Sequence, residues 1–233
     1  LGAVTALLFD VGNGRYAAPP LHGDAAGISK WEADLSRVRE ASAREARDLA
    51  AAKEGDRTHT EVQGWLRDLG RALGFDVWIA ANDRARTYSG GRLDDGCLPS
   101  LPPGVGDGPG AEAVRLIDVI WIDRGAGTVA GAFEVEHTTS IYSGLLRMSD
   151  LLAMQPNLNI PLYLVAPDDR RDKVIMEVNR PTFSRLKPPL GEMCRFLSFS
   201  SLKSSLSQVA GYVRHLKPEF LEEISESCEV EEA

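Results

Sequence analysis

Cysteine is scarce in this chain. Cys97, Cys194 and Cys228 are odd in number and widely spaced among 233 residues. That excludes a disulfide framework or a zinc-finger pattern and predicts reduced thiols in a cytoplasmic protein. Long apolar runs are also missing. No stretch reaches the ~18 residues of a membrane span, so no transmembrane helix and no membrane partner are expected, and no signal-peptide pattern is read. Positive charge is in deficit: 26 Lys and Arg against 34 Asp and Glu leave a net charge of −8. Such a balance argues against a protein that coats nucleic acid by bulk charge. What remains is an ordinary soluble composition, 43% hydrophobic, enough for one large domain with or without an arm. The chain begins Leu-Gly rather than Met, as a processed or trimmed chain or one cut from a longer protein would.

Periodicity divides the chain. Residues 4–10 (VTALLFD) predict a strand ending in a Gly turn. Ala26–Lys53, rich in Ala, Glu and Arg, predicts a long charged helix, an exposed arm or a dimer contact. Thr58–Leu73 predicts a second helix, with Val62, Trp65, Leu66, Leu69 and Leu73 on one face and Gly74 ending it. Asp76–Ala80 predicts a strand. Tyr88–Ala113 is dense in Gly and Pro and predicts a mobile loop or insertion without regular structure. Val114–Ile122 and Thr128–Glu136 predict a hairpin. Ser140–Met154 predicts a helix with an Ile141, Leu145, Met148, Leu152 stripe. Then follow a strand at Asn159–Ala166, a helix at Asp169–Asn179, a strand at Cys194–Ser198 and a helix at Ser201–Leu216. The acidic tail adds a helical turn or no order. The expected fold is α/β, a mixed central sheet flanked by helices with an N-terminal helical arm. Its expected segments are 1–56 (arm), 57–217 (domain, with 88–113 as insertion) and 218–233 (tail).

The residues that carry chemistry lie in the predicted hairpin. Asp118 sits within one apolar run, and Glu134 and Glu136 within the next. Three carboxylates on neighbouring strands are costly to bury unless something positive lies between them. A divalent metal meets that need. Glu134 and Glu136, two apart on a strand, share a face with Cα atoms ~6.5–7 Å apart. Carboxylate oxygens suit Mg²⁺, with Mn²⁺ as substitute, and a metal held on acidic strand ends points to phosphodiester hydrolysis. The alternative makes Asp118 a turn residue and the glutamates an exposed face. The apolar neighbours Ile117, Val119, Ile120, Trp121, Phe133 and Val135 argue against it. Charge is also uneven. Residues 138–217 sum to +5, whereas residues 218–233 hold seven acids and no Lys or Arg. A basic flank beside an acidic cluster suits a nuclease, and it equally describes ordinary solvated helix faces.

From Thr58 to Leu216 the sequence resembles the PD-(D/E)XK nuclease superfamily, the restriction-endonuclease-like proteins. The resemblance rests on Ile117-Asp118, then Glu134-Val135-Glu136, then a helix, within an order of helix, three-stranded meander, helix and strand. It implies that Asp118, Glu134 and the Val135 carbonyl bind Mg²⁺. Glu136 stands where the family has Lys and would activate water or complete a second metal site. The family's helix glutamate falls on Glu61, although Thr58–Glu61 also reads as a capping box. Thr138, Thr139 and Ser140 at a helix start, with Tyr142 and Arg147, would contact substrate. Exposed pairing of Arg147 with Asp150 is the alternative for that arginine. Gln155 is a weaker candidate at the site, Arg170, Arg171, Lys173 and Arg180 are candidate backbone contacts, and His59 reads as a surface residue. The implied function is a metal-dependent DNA endonuclease of the prokaryotic restriction or defence kind. It would act as a homodimer, with a helicase or DNA-binding module in the full-length protein or operon. Two rivals stand: a nuclease-fold binding or assembly module without catalysis, and an enzyme acting on RNA.

Overall fold

A computed structural model describes residues 25–137, 141–155, 159–209 and 216–230. The predicted strand at 4–10 lies outside the described residues. The chain divides into two compact units, residues 1–56 and 57–233. In the first, the described part is helical, and its side chains from Ala33 onward are almost all exposed. No described helix is long and apolar enough to cross a membrane.

The two helices expected at 26–53 and 58–73 are one, α1 (Ala25–Ala72). Thr58–Glu61 is therefore mid-helix and cannot be a capping box, because the backbone amides there already bond within the helix. The end of α1 is as expected. Gly74 takes φ of 92°. The Phe75 amide donates to the Gly70 carbonyl (3.0 Å) and the Gly74 amide to the Arg71 carbonyl (3.1 Å), the paired bonds of a Schellman end.

The second unit is built on a six-stranded mixed sheet in the order β1 (Asp76–Ile79), β4 (Val119–Ile122), β5 (Val129–Val135), β6 (Leu162–Ala166), β7 (Cys194–Ser198), β8 (Glu226–Ser227). Its first three strands, β1, β4 and β5, are an antiparallel meander. β6 and β7 then run parallel to β5. Two corrections concern the loop region. Tyr88–Ala113 is not wholly irregular: it holds part of a small hairpin, β2 (Thr87–Tyr88) with β3 (Gly91–Arg92), and most of the single turn α2 (Ala111–Val114). The strand expected from Val114 starts at Val119, since α2 and a turn occupy the preceding residues. The acidic tail takes the helical turn expected of it, α8 (Phe220–Glu223), and adds a strand that was not expected, β8 (Glu226–Ser227), which pairs antiparallel with β7.

Alternation along the strands gives two cores. On one face, Val62, Leu66 and Leu69 of α1, Leu202 of α7 (Phe199–Val209) and Leu221 of α8 cover Val77, Val119, Trp121, Phe133, Tyr163 and Leu197. Aromatic rings run across this face: Trp121 lies 5.4 Å from Phe75 and 4.6 Å from Phe133, and Phe133 lies 5.0 Å from Tyr163. On the other face, Ile141, Leu145, Met148 and Leu151 of α3 (Ile141–Met154) pack with Val174 and Val178 of α4 (Arg171–Val178) on Ile120, Ala132, Leu164 and Phe196. Leu151 is the fully buried residue of the last α3 turn, and Leu152 is only partly buried.

Close approach of α1 to the sheet depends on Gly70. The Trp121 indole donates to the Leu66 carbonyl (3.1 Å), and a Cβ at Gly70 would stand 2.3 Å from the indole nitrogen. Gly70→Ala is therefore expected to lower unfolding free energy by about 1–3 kcal/mol, as overpacking does, despite the better helix propensity of Ala. Urea denaturation followed by Trp fluorescence checks this, and an unchanged midpoint would refute the close contact.

Candidate active site

Strand register brings the site together. β4 pairs with β5 so that Val119 faces Phe133, which sets Asp118, one residue before β4, beside Glu134. β1 pairs with β4 so that Ile79 faces Val119, which brings the turn after β1, carrying Asp83, to the same end of the sheet. Four carboxylates are buried there, Asp83 at 2%, Asp118 at 6%, Glu134 at 0% and Glu136 at 8% relative exposure.

Each carboxylate has defined partners. Asp118 Oδ2 accepts from the Val135 amide (2.7 Å), and Oδ1 accepts from Gln63 Nε2 (3.2 Å). Glu134 is gripped by the Arg147 guanidinium, Nε to Oε1 at 2.8 Å and the terminal nitrogen to Oε2 at 2.5 Å. Asp83 accepts from Arg86 Nε (2.6 Å) and Gln63 Nε2 (2.9 Å). His59 Nε2 lies 3.5 Å from Asp83 and 3.4 Å from Asp118. Among the described residues, no donor hydrogen-bonds the Glu136 carboxylate.

Gly144 of α3 makes room for the two glutamates. A Cβ there would stand 3.0 Å from Glu136 Oε1 and 3.2 Å from Glu134 Oε2, so both carboxylates converge against bare helix backbone. This crowding of oxygens fits a hard divalent cation, which takes carboxylate and water ligands.

Electrostatics follow from burial. Loss of solvent pushes the Glu134 carboxyl up, to about 8, against the pull of Arg147, and the Asp118 and Glu136 charges add to the rise. Glu136 is raised by the same burial and by Asp118. The fork with Glu134 in turn holds Arg147 well above its ordinary value. Burial works against charge on His59, but the Asp118 and Asp83 carboxylates outweigh it and hold its pKa at about 10. Burial raises Asp83, and His59, Gln63 and Arg86 more than offset that, bringing it to about 2.

The expected residues divide. Asp118, Glu134 and Glu136 come together, and Val135 joins them through its amide. Arg147, half-buried, is paired with the buried Glu134 and not with Asp150 on the helix surface. Tyr142 is 39% exposed and sits between Phe183 and Arg180, 5.5 Å from each. Thr138, Thr139 and Ser140 lie outside the described residues. Glu61 is exposed and stands about 200° around the helix from His59 and Gln63, so it is not in the cluster. Gln155 ties the Gly-rich loop through the Gly104 carbonyl (2.6 Å). Arg171 is paired with Glu226 and Asp172, and Arg180 with Glu177.

Gln63 and Asp83 are residues that sequence reading missed, and His59, read as a surface residue with a phosphate contact as the alternative, is mostly buried, 19% exposed. Helical phase carried a signal for two of them: 59, 62, 63 and 66 share one face, and that face is apolar from Val62 onward. Asp83 gave no such signal.

Residues 40–228 match the family described as the type II restriction enzyme NmeDI C-terminal domain. The chain belongs to this family. Its match to the type II restriction enzyme NmeDI of Neisseria meningitidis serogroup C is 37% identical over 136 residues, 56% of this chain and 38% of that protein. The chain thus spans well under two thirds of that relative's length, and the whole cluster, from His59 to Arg147, lies within the segment matched to the NmeDI C-terminal family. No solved structure matches.

Two expectations follow. Arg147→Met leaves Glu134 buried without a cation and should cost about 3–5 kcal/mol of stability, whereas Arg147→Met with Glu134→Leu recovers much of the loss. Urea melts of the three proteins decide it, and a single variant as stable as wild type would refute the fork. The second concerns pH. His59 has a folded pKa of about 10 against an ordinary 6.5, so its stabilising contribution is complete below 6.5 and is lost as pH rises through 10. Asp83, lowered from 3.8 to about 2, contributes above 3.8 and loses its contribution as pH falls through 2. In EDTA, the stability gap between wild type and His59→Gln should be widest near pH 5–6 and shrink towards pH 10. A pH-independent gap would contradict the ion pairing.

Proposed function

We propose that this chain is the nuclease domain of a restriction-type DNA endonuclease of the PD-(D/E)XK kind, hydrolysing phosphodiesters with Mg²⁺, for which Mn²⁺ substitutes. The observation that carries this is the burial of Asp118, Glu134 and Glu136 at one end of the sheet, the two glutamates converging under Gly144, in a member of the NmeDI C-terminal family. Asp118 and Glu134 hold the metal, with the Val135 carbonyl as a further ligand. When bound, such a metal polarises the phosphate and lowers the pKa of a water. Glu136 takes the proton from the attacking water, a role that its raised basicity and lack of a described donor suit. Arg147 keeps Glu134 oriented and adds positive charge where the phosphate arrives. Thr138, Thr139 and Ser140 supply contacts to the phosphate, and Tyr142 lies further out. Cutting both strands calls for two such sites, hence a homodimer. Sequence recognition belongs to other parts of a longer protein or to a helicase or DNA-binding partner.

A second reading, a binding module without catalysis, also has support. Arg147 and His59 already set positive charge among the carboxylates, and Glu136 replaces the family's Lys.

Incubation with supercoiled and linear DNA in Mg²⁺, Mn²⁺ or EDTA tests the choice. We expect metal-dependent nicking or cutting, with Glu136→Gln slower by about 10²–10⁴-fold and Asp118→Asn inactive. Folded protein that binds DNA but cuts under no metal would establish the second reading.

A further inference from the structure

The outer half of the cluster is arranged beyond what ion pairing requires. His59 Nε2, Asp83 Oδ2 and Asp118 Oδ1 come from α1, from the turn after β1 and from the start of β4, and all lie within 4.8 Å of one another. The imidazole stands 3.5 Å and 3.4 Å from the two carboxylates. Both separations exceed the ~2.7–3.2 Å of an N–H···O bond, so the ring closes on neither. They equal the spacing of two ligands on one cation, since donors ~2.0–2.2 Å from a metal stand ~3.4 Å apart at the tetrahedral angle.

The carboxylates are also oriented from outside. Asp83 gives its other oxygen to Arg86 (2.6 Å), and Asp118 gives its other oxygen to the Val135 amide (2.7 Å). The remaining oxygens are thereby turned towards the imidazole, as supporting hydrogen bonds turn the ligands of a metal. Gln63 supplies a separate observation. Its side chain is completely buried, its amide nitrogen touches both carboxylates at 2.9 and 3.2 Å, and its Oε1 has no hydrogen-bond partner. An unpaired buried amide oxygen is costly. A half-turn of the amide exchanges nitrogen for oxygen and offers that oxygen to a cation between the carboxylates. The His59 side chain, 19% exposed against 3% for Asp83, leaves the approach open on its own side.

We propose that His59, Asp83 and Asp118, with Gln63 Oε1 in reserve, form a second divalent-cation subsite that shares Asp118 with the carboxylate site. The proposal deepens the nuclease reading and rests on it in taking Asp118 as a metal ligand. One imidazole nitrogen beside two carboxylates selects borderline metals, Co²⁺ or Zn²⁺, over Mg²⁺ or Ca²⁺, with Mn²⁺ accepted by the carboxylates. The two subsites thus differ in kind, one all oxygen and one mixed.

Mn²⁺ binding to the EDTA-stripped full chain, read from the paramagnetic resonance of free Mn²⁺, tests it without reference to cleavage. Two bound ions per chain are expected in wild type and one in His59→Ala or Asp83→Asn. Glu134→Gln should weaken only the other ion. A single ion that Glu134→Gln abolishes and His59→Ala leaves untouched overturns the second subsite and spares the carboxylate site. No bound ion in folded wild type overturns both. Should the variants fail to fold, the imidazole ¹⁵N spectrum of wild type, with only four histidines, gives the answer on Zn²⁺ addition. Movement of the His59 Nε2 resonance supports coordination, and an unmoved resonance refutes it.

Discussion

The grip of Arg147 on Glu134 is the contact on which the interior of the second unit depends. Glu134 has no solvent contact at all, and an ionised carboxylate there is untenable without a partner. The partner comes from α3, so the helix must lie along β5 in one register and at one height. That register puts Gly144 over the two glutamates and the Ile141, Leu145, Met148 and Leu151 row into the core. Electrostatics and packing therefore make the same demand on the same helix. Where they coincide, a site can be held rigid without help from loops.

The opposite face is organised by shape. Gly70 and the Trp121 indole let α1 descend on the aromatic row, and the same helix then carries His59 and Gln63 past the end of the sheet to Asp83 and Asp118. One face is thus locked by charge and the other by close packing. The carboxylates lie at the sheet end where both sets of constraints arrive. Such a location gives precise placement to side chains drawn from α1, β5, the β1 turn and α3.

How much of this was legible follows from range. Apolar periodicity is local, so the Val62–Leu73 face, its Gly74 ending, the strands at Asp76 and Cys194 and the α3 stripe were readable. The break imagined between two N-terminal helices was not real. Gly55 and Asp56 weaken a helix by about 1 kcal/mol or less each, a penalty a long helix absorbs. Asp118, Glu134 and Glu136 were readable because polar residues inside apolar strands are conspicuous. Asp83 was not, because its place depends on the Ile79–Val119 register, which no short window contains. The partner of Arg147 was hidden for a similar reason: Asp150 is near in sequence, but α3 folds back over β5 and brings the guanidinium to the buried Glu134. Glu61 lies on the other side of α1 from His59 and Gln63, a difference of phase that a helix start placed at Thr58 concealed.

The two-residue strand β8 has a consequence for assembly. It closes the outer side of β7 with Glu226 and Ser227, both exposed, and at the far end of the sheet the Leu98 amide occupies the Val77 carbonyl of β1 (2.8 Å). Each margin of the sheet is thus shortened, one by a two-residue strand carrying the charged Glu226 and one by a bond from loop backbone. Short, charged or covered edges disfavour strand-to-strand pairing, the usual route by which open sheets polymerise.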